Sequence, residues 1–267
     1  AVELMNVGVN YMREHVIEKA RIHYVIPNGG GAPNVVPDEA EVWYYVRAPE
    51  RSQVEELTNR VRKIAEGATL MTETTFEEDF QAGCYNTLPN DVLAELAHEL
   101  MEELGGISFT QEEQDYAQIV VNGYPKGTRE AGIRSRGLPE NILEQPLPGD
   151  VQPIRNAGQV GSGSTDVGDV SWIAPTVSVN TTCWPVGIPG HSWGIVACGH
   201  TTIGHKGMMH AAKAMALTGV ELFNQPETLK KAQEEFKQRT AGNPYKCPIP
   251  DHVAPPLPVG YTELVKE

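Results

Sequence analysis

The sequence predicts an α/β chain that opens with an α+β unit of ferredoxin-like order lacking its first strand. Three observations predict it. The first 80 or so residues run helix, strand, strand, helix, strand, one strand short of a β-α-β-β-α-β motif. The segments "ARIHYVIPN" and "EVWYYVR" carry the period-2 alternation of strands, and "RSQVEELTNRVRKIAEGA" between them and the next strand carries a helical period. The composition then changes after "AGCYNTLPND", where a longer stretch of helices and apolar segments begins.

Each element follows from local chemistry. In "AVELMNVGVNYMREHV", Leu4, Met5, Val9, Met12 and Val16 recur near helical spacing. No Ser, Thr, Asp or Asn cap precedes it. Either an initiator Met has been removed before Ala1, or the chain begins partway through an element. "ARIHYVIPNGG" is a strand running into a Gly-rich turn, and a second strand at Glu41–Arg47 is ended by Pro49. Val54, Leu57, Val61 and Ile64 line one helical face, with Gly67 suited to the stop. "TLMTETTFEEDF" reads as the next strand. Asn90 or Asp91 can cap a helix "VLAELAHELMEELGG", and a second helix covers "QEEQDYAQIVVNG". From Tyr124 to Gly163 the chain is rich in Gly, Pro and charge and reads as a long loop. "DVSWIAPTVSVNTTCW" reads as one or two buried strands and "SWGIVACG" as a short apolar strand or turn. "TTIGHKGMMHAAKAMALTGVELF" is a helix, with Gly204, Met208, Ala211, Ala212 and Met215 forming a small-residue face for close packing. "PETLKKAQEEFKQRT" is an amphipathic helix with Pro near its start. The Pro-rich stretch 241–267 reads as an extended tail.

Composition narrows the function classes. With 267 residues, 40% hydrophobic and 21% charged, the chain is an ordinary globular sequence. Its formal net charge of -14 disfavours nucleic acid and anionic membrane as partners, since phosphate binding needs a basic surface. Cys84, Cys183, Cys198 and Cys247 lie far apart with no C-x-x-C, which fits free thiols in a reducing compartment. No run is apolar and long enough to span a bilayer, and the first residues lack the basic-then-apolar layout of a signal peptide, so the expected location is the cytoplasm.

Three stretches can carry chemistry. "PGHSWGIVACGHTTIGHKGMMH" holds His191, His200, His205 and His210. A metal pair on one helix needs a spacing of three or four, whereas His205 and His210 are five apart, or about 140° around the helix. They read as structural, and His200 as a cap or surface group. His191 is different: it lies in a loop after a buried strand, where single metal ligands are commonly delivered. "GSGSTDVGDVSW" can cradle an anion with backbone N–H groups, against the plainer reading of a solvated loop with Asp166 and Asp169 as turn formers. It is neither a P-loop nor a G-x-S-x-G elbow, although Ser162 or Ser164 as a hydrolase nucleophile is a third option. "GGGAPNVVP" holds Asn34 in a stiff segment between prolines, or is simply a hairpin connection. Arg47, at a strand end, can bind a carboxylate bidentately or form a surface ion pair.

Taken together, "AVELMNVGVNYMREHV", "RIHYVIPNGGGAPNVVPDEAEVWYYVRAP", "YNTLPNDVLAELAHELMEELG", "GSGSTDVGDVSW" and "PGHSWGIVACGHTTIGHKGM" resemble the aminoacylase/carboxypeptidase family of dinuclear metallo-exopeptidases, over nearly the whole chain. The resemblance implies a ferredoxin-like lid and dimerisation domain over 1–80, the second half of an α/β/α zinc-exopeptidase-like catalytic domain over 81–240, and a tail over 241–267. It carries His191 to the family's last metal ligand. It carries Asn34 and Arg47 to lid positions that reach substrate, and Gly163, Ser164 and Thr165 to a segment lining the substrate pocket.

The family's remaining metal ligands, its general base and the lid's first strand match nothing in this sequence. The resemblance therefore implies a C-terminal portion of a metal-dependent amidohydrolase that cleaves an acyl-amino acid such as aminobenzoyl-glutamate. The full enzyme would use zinc or manganese to activate water. This chain alone would be inactive, and would bind no metal if His191 stands alone. Its partners would be the small acyl-amino acid and a second copy through the lid, or a companion subunit. The rival reading is a non-catalytic dimerising scaffold.

Overall fold

The computed structural model describes residues 1–155, 158–161, 163–251 and 253. The Ser162 candidate and most of the Pro-rich tail lie outside the described residues. In chain order the elements are α1 (Val2–Met12), β1 (Arg21–Asn28), β2 (Glu41–Arg47), α2 (Arg51–Thr72), α3 (Asp91–Leu104), α4 (Gln111–Asn122), α5 (Thr128–Ser135), α6 (Val167–Ser171), α7 (Trp193–Gly199), α8 (Thr202–Asn224) and α9 (Pro226–Thr240). The architecture is mixed and helix-rich, with one small two-stranded sheet among the described residues. The chain divides into two compact units. One holds residues 1–87, 163–172 and the described residues from Tyr245 onward; the other holds 88–161 and 173–244.

In the first unit β1 and β2 pair antiparallel, with Ile22 opposite Val46, His23 opposite Tyr45, Tyr24 opposite Tyr44 and Val25 opposite Trp43. Alternation sends Ile22, Tyr44 and Val46 to one face. There they close a core with Val9 and Met12 of α1 and Val61 and Ile64 of α2. Asn6, buried on α1, accepts a hydrogen bond from the Tyr44 hydroxyl, and burial followed by the nearby Tyr24 pushes the Tyr44 hydroxyl up to about 12. The strand expected over "TLMTETTFEEDF" does not form. The helix α2 passes through Gly67, which was expected to stop it, and runs to Thr72, where Glu73 in the left-handed region (φ 54°) ends it. Ala65 and Ala68 are buried on the continuing helical face, so tertiary packing overrides the local β signal.

In the second unit α3 packs on α8 and α9. Its cap Asn90 accepts from Leu93 N–H at 3.0 Å and donates to the Ala232 carbonyl at 2.9 Å. Glu235 of α9 accepts the next two free N–H groups of α3, from Asp91 and Val92. The long loop expected over 124–163 contains α5 and a 3₁₀ turn at Glu140–Glu144. Buried Arg129 organises both, donating to the carbonyls of Val186, Leu143, Ile142 and Gln145.

Two further expectations fail here. The segment "DVSWIAPTVSVNTTCW", residues 169–184, forms no strand: its start lies in α6 and the rest carries no ladder, and "SWGIVACG" is the helix α7. A strand requires a partner for its N–H and C=O groups, and the described residues offer these segments none. The packing face of α8 is Ile203, Gly204, Gly207, Ala214 and Thr218, whereas Met208 and Met215 of the expected face point to solvent. Gly207 is required there, because a Cβ would lie 2.6 Å from the Thr182 carbonyl oxygen.

Candidate functional site

The structure brings two of the expected site residues together. Arg47 ends β2, and its Nη2 donates to the Ser164 hydroxyl at 3.0 Å. The Gly-Ser segment reaches β2 because the chain after it is anchored in the same unit. The Thr165 hydroxyl and carbonyl accept the first N–H groups of α6, from Val167 and Gly168. Asp169 accepts from the Tyr85 N–H at 3.1 Å and from the Tyr245 hydroxyl at 3.0 Å. Trp172 Nε1 donates to the Asn86 carbonyl at 2.8 Å. Asp169 is thus an anchor rather than a turn former. Gly168 is obligatory, since a Cβ there would lie 2.1 Å from the Tyr85 carbonyl oxygen. Burial, then Asp169 and Asp166, pushes the Cys84 thiol up, which disfavours its thiolate.

Gly163, Ser164, Thr165, Asn34 and Arg47 are all exposed. Asn34 lies in the connection between β1 and β2, where Gly30 takes a positive φ of 101°. The Ser164 hydroxyl faces a guanidinium, which cannot act as a base. No histidine hydrogen-bonds Ser164 among the described residues, and the geometry gives no support to a serine nucleophile.

On the same face of β2 as Arg47, at alternate positions, stand Trp43 and Tyr45, with ring centroids 5.3 Å apart. Both are exposed, Trp43 by 46% and Tyr45 by 59%. No motif marks this pair as a site, although "EVWYYVR" writes it in plain alternation with Arg47.

His191 lies in the second unit and is exposed. It does not follow a buried strand; the preceding segment carries no ladder, for the reason given above. Its backbone is left-handed (φ 53°), between Gly190 and the α7 cap Ser192. That conformation costs energy in a non-glycine residue and persists only where neighbours enforce it. Here the Ser192 hydroxyl donates to the Pro189 carbonyl at 2.7 Å and lies 2.6 Å from the Tyr124 hydroxyl. That hydroxyl accepts from the Gly194 N–H, and its ring stacks on Trp193 at 5.1 Å.

The turn is well held, but the described residues contain no group of three His, Cys, Asp or Glu that could hold a metal. His200 and His205 approach edge to face at 6.3 Å, and burial, then Lys213, lowers the His210 pKa. A cleft of about 540 Å³ between α4 and α5 includes Lys126 and Glu130 and none of the expected site residues.

Residues 17–71 match the peptidase dimerisation domain of M20 type. The chain is 42% identical over 265 residues to a p-aminobenzoyl-glutamate hydrolase subunit of Escherichia coli (strain K12), covering 96% of this chain and 55% of that protein. It is 26% identical over 247 residues to Xaa-Arg dipeptidase of Mus musculus, covering 89% of this chain and 45% of that protein. Over a shorter stretch of 83 residues it is 36% identical to N-acetyldiaminopimelate deacetylase of Leuconostoc citreum (strain KM20), covering 31% and 21%. The chain spans about half the length of the first two relatives.

Proposed function

We propose that this chain, related along almost its whole length to an aminobenzoyl-glutamate hydrolase subunit, is the substrate-orienting and dimerising part of a metal-dependent amide hydrolase. Its substrate is an acyl-amino acid such as aminobenzoyl-glutamate. The 42% identity over 96% of the chain carries this reading, and the peptidase dimerisation match over 17–71 supports it. In this reading residues 1–80 are the lid and dimerisation domain, 81–240 the second half of the catalytic domain, and 241–267 a tail.

Each residue has a part. The Arg47 guanidinium, held by Ser164, takes the substrate carboxylate in fork geometry. Asn34 offers an amide to the scissile group, and the exposed backbone at Gly163, Ser164 and Thr165 lines the pocket. His191 supplies one ligand to a divalent ion, zinc or manganese. A catalytic ion of that kind is held by about three protein ligands, so the described residues do not fit it by themselves. The remaining donors belong to polypeptide equivalent to the part of the relatives that this chain does not span. The chain has a formal net charge of -14, no helix among the described residues is long and apolar enough to cross a membrane, and the working location proposed is the cytoplasm.

The test is hydrolysis of aminobenzoyl-glutamate by the chain alone and after mixing with the complementary portion of the Escherichia coli relative, with metal content measured in both. The expected result is no turnover alone, and turnover with bound metal in the mixture. Hydrolysis by the chain alone at an enzymatic rate would overturn the assignment of parts. The second reading, a dimerising scaffold, rests on the 17–71 match. It predicts a dimer by light scattering and no activity in either preparation.

A further inference from the structure

The outer face of the β1–β2 hairpin combines two features that its neighbours do not require. One is the exposed pair Trp43 and Tyr45. The other is a like-charge pair: Arg21 stands directly opposite Arg47 in the register. Two cations facing each other across a hairpin destabilise it unless an anion lies by them, and this happens in a chain of net charge -14. Among the described residues neither guanidinium is saturated. Arg21 uses Nη1 on the carbonyls of Glu18 and Ala20, and Arg47 uses Nη2 on Ser164. Each keeps donors from its set of five. Val25, opposite Trp43, and His23, opposite Tyr45, complete the face. Successive outward positions on β2 are about 7 Å apart. The face therefore grades from aromatic at Trp43 to cationic at Arg47 over the length of a small molecule.

We propose that Trp43 and Tyr45 seat the aromatic acyl group of an acyl-amino acid while Arg47 and Arg21 take its carboxylate end. The proposal rests on the hydrolase reading above and adds to it the residues that select an aromatic acyl group over an aliphatic one. Ring-on-ring contact at the Trp43 and Tyr45 faces gives that preference, and an acetyl group forfeits it. The carboxylate contact is common to both ligands and gives none.

The experiment is calorimetric binding of N-(4-aminobenzoyl)glutamate and of N-acetylglutamate to the full chain and its variants. The unsubstituted chain is expected to bind the aromatic ligand about tenfold more tightly than the acetyl ligand. Trp43→Leu and Tyr45→Leu should each erode that preference and leave the acetyl ligand unaffected, while Trp43→Phe, which keeps a ring, restores most of it. Arg47→Ala should weaken both ligands alike. Equal binding of the two ligands, sensitive to Arg47→Ala and indifferent to Trp43→Leu and Tyr45→Leu, overturns the aromatic seat and leaves the hydrolase reading standing. Failure of both ligands to bind at millimolar concentration overturns the seat and the substrate-orienting role together.

Discussion

Glu113 shows how a single carboxylate can be held ionised in a buried place. One oxygen accepts from Lys206 Nζ at 2.7 Å and from the Thr110 N–H at 2.7 Å; the other accepts from the Thr202 hydroxyl at 2.6 Å. Burial opposes the charge, but Lys206, Thr202 and Thr110 outweigh it and hold the carboxyl down at about 2, against an ordinary 4.5. Because the folded value lies below the unfolded one, the stabilisation is complete above pH about 4.5 and is lost as pH falls toward about 2. Urea midpoints should therefore drop across that window, and Glu113→Gln should flatten the drop.

Arg129 makes a sharper case. Its guanidinium serves four carbonyls, which three ammonium protons in a different geometry cannot do. Arg129→Lys should cost about 3 kcal/mol by denaturant unfolding. Among the thiols, Cys198 is fully buried and pushed up by that burial, and Cys84 is raised as described. Exposed Cys247 should be alkylated first at neutral pH, as mass mapping would reveal.

At the scale of elements, the five-residue α6 has the greatest reach, because it fixes the segment that meets Arg47. Gly168→Ala would drive a methyl into the Tyr85 carbonyl and should cost about 2 kcal/mol. Hydrogen exchange should then speed up at the Tyr85 amide, which Asp169 now protects. Unchanged exchange there would show that the segment is held some other way.

The elements differ in how far their sequences announce them. Strand β2 is legible to the residue as Glu41–Arg47. The periodic helices α3, α4, α8 and α9 are legible from their apolar spacing, and α3 also from its cap, since Asn90 satisfies a free N–H group whatever packs beside it; the Thr110 cap of α4 emerges only in the structure. Helix α7 is hidden because "WGIVACG" is short and uniformly apolar, a pattern with no period to read. Helix α5 is hidden by its glycines and charges, and its stability comes from Arg129, whose partners lie 13 to 57 residues away.

For the molecule as a whole, α8 is the informative feature. It buries Ile203, Gly207 and Ala214 on one side, yet leaves Met208 (57%), Met215 (66%) and Phe223 (91%) exposed on another. A helix apolar on two sides is one that is usually covered on both. The isolated chain should bind a hydrophobic dye strongly despite its net charge, and Met215→Glu with Phe223→Glu should remove much of that signal. Dye binding unchanged by the pair would place the exposed apolar surface elsewhere.

The candidate site divides along the same line. The strand expected before His191 is not there, but the residue types of Arg47, Asn34, the Gly-Ser segment and His191 are legible, as is the place of Arg47 at a strand end and the family likeness that an identity of 42% bears out. Those are properties of local pattern, and local pattern survives without a fold. That the Ser164 hydroxyl meets Arg47 across 117 residues of chain, that Asp169 is an anchor, that Arg21 faces Arg47, and that 169–184 finds no strand to pair with among the described residues were decided by tertiary structure alone. Each is a relation between distant segments, fixed only when the backbone groups and side chains of one have found, or failed to find, their partners in another.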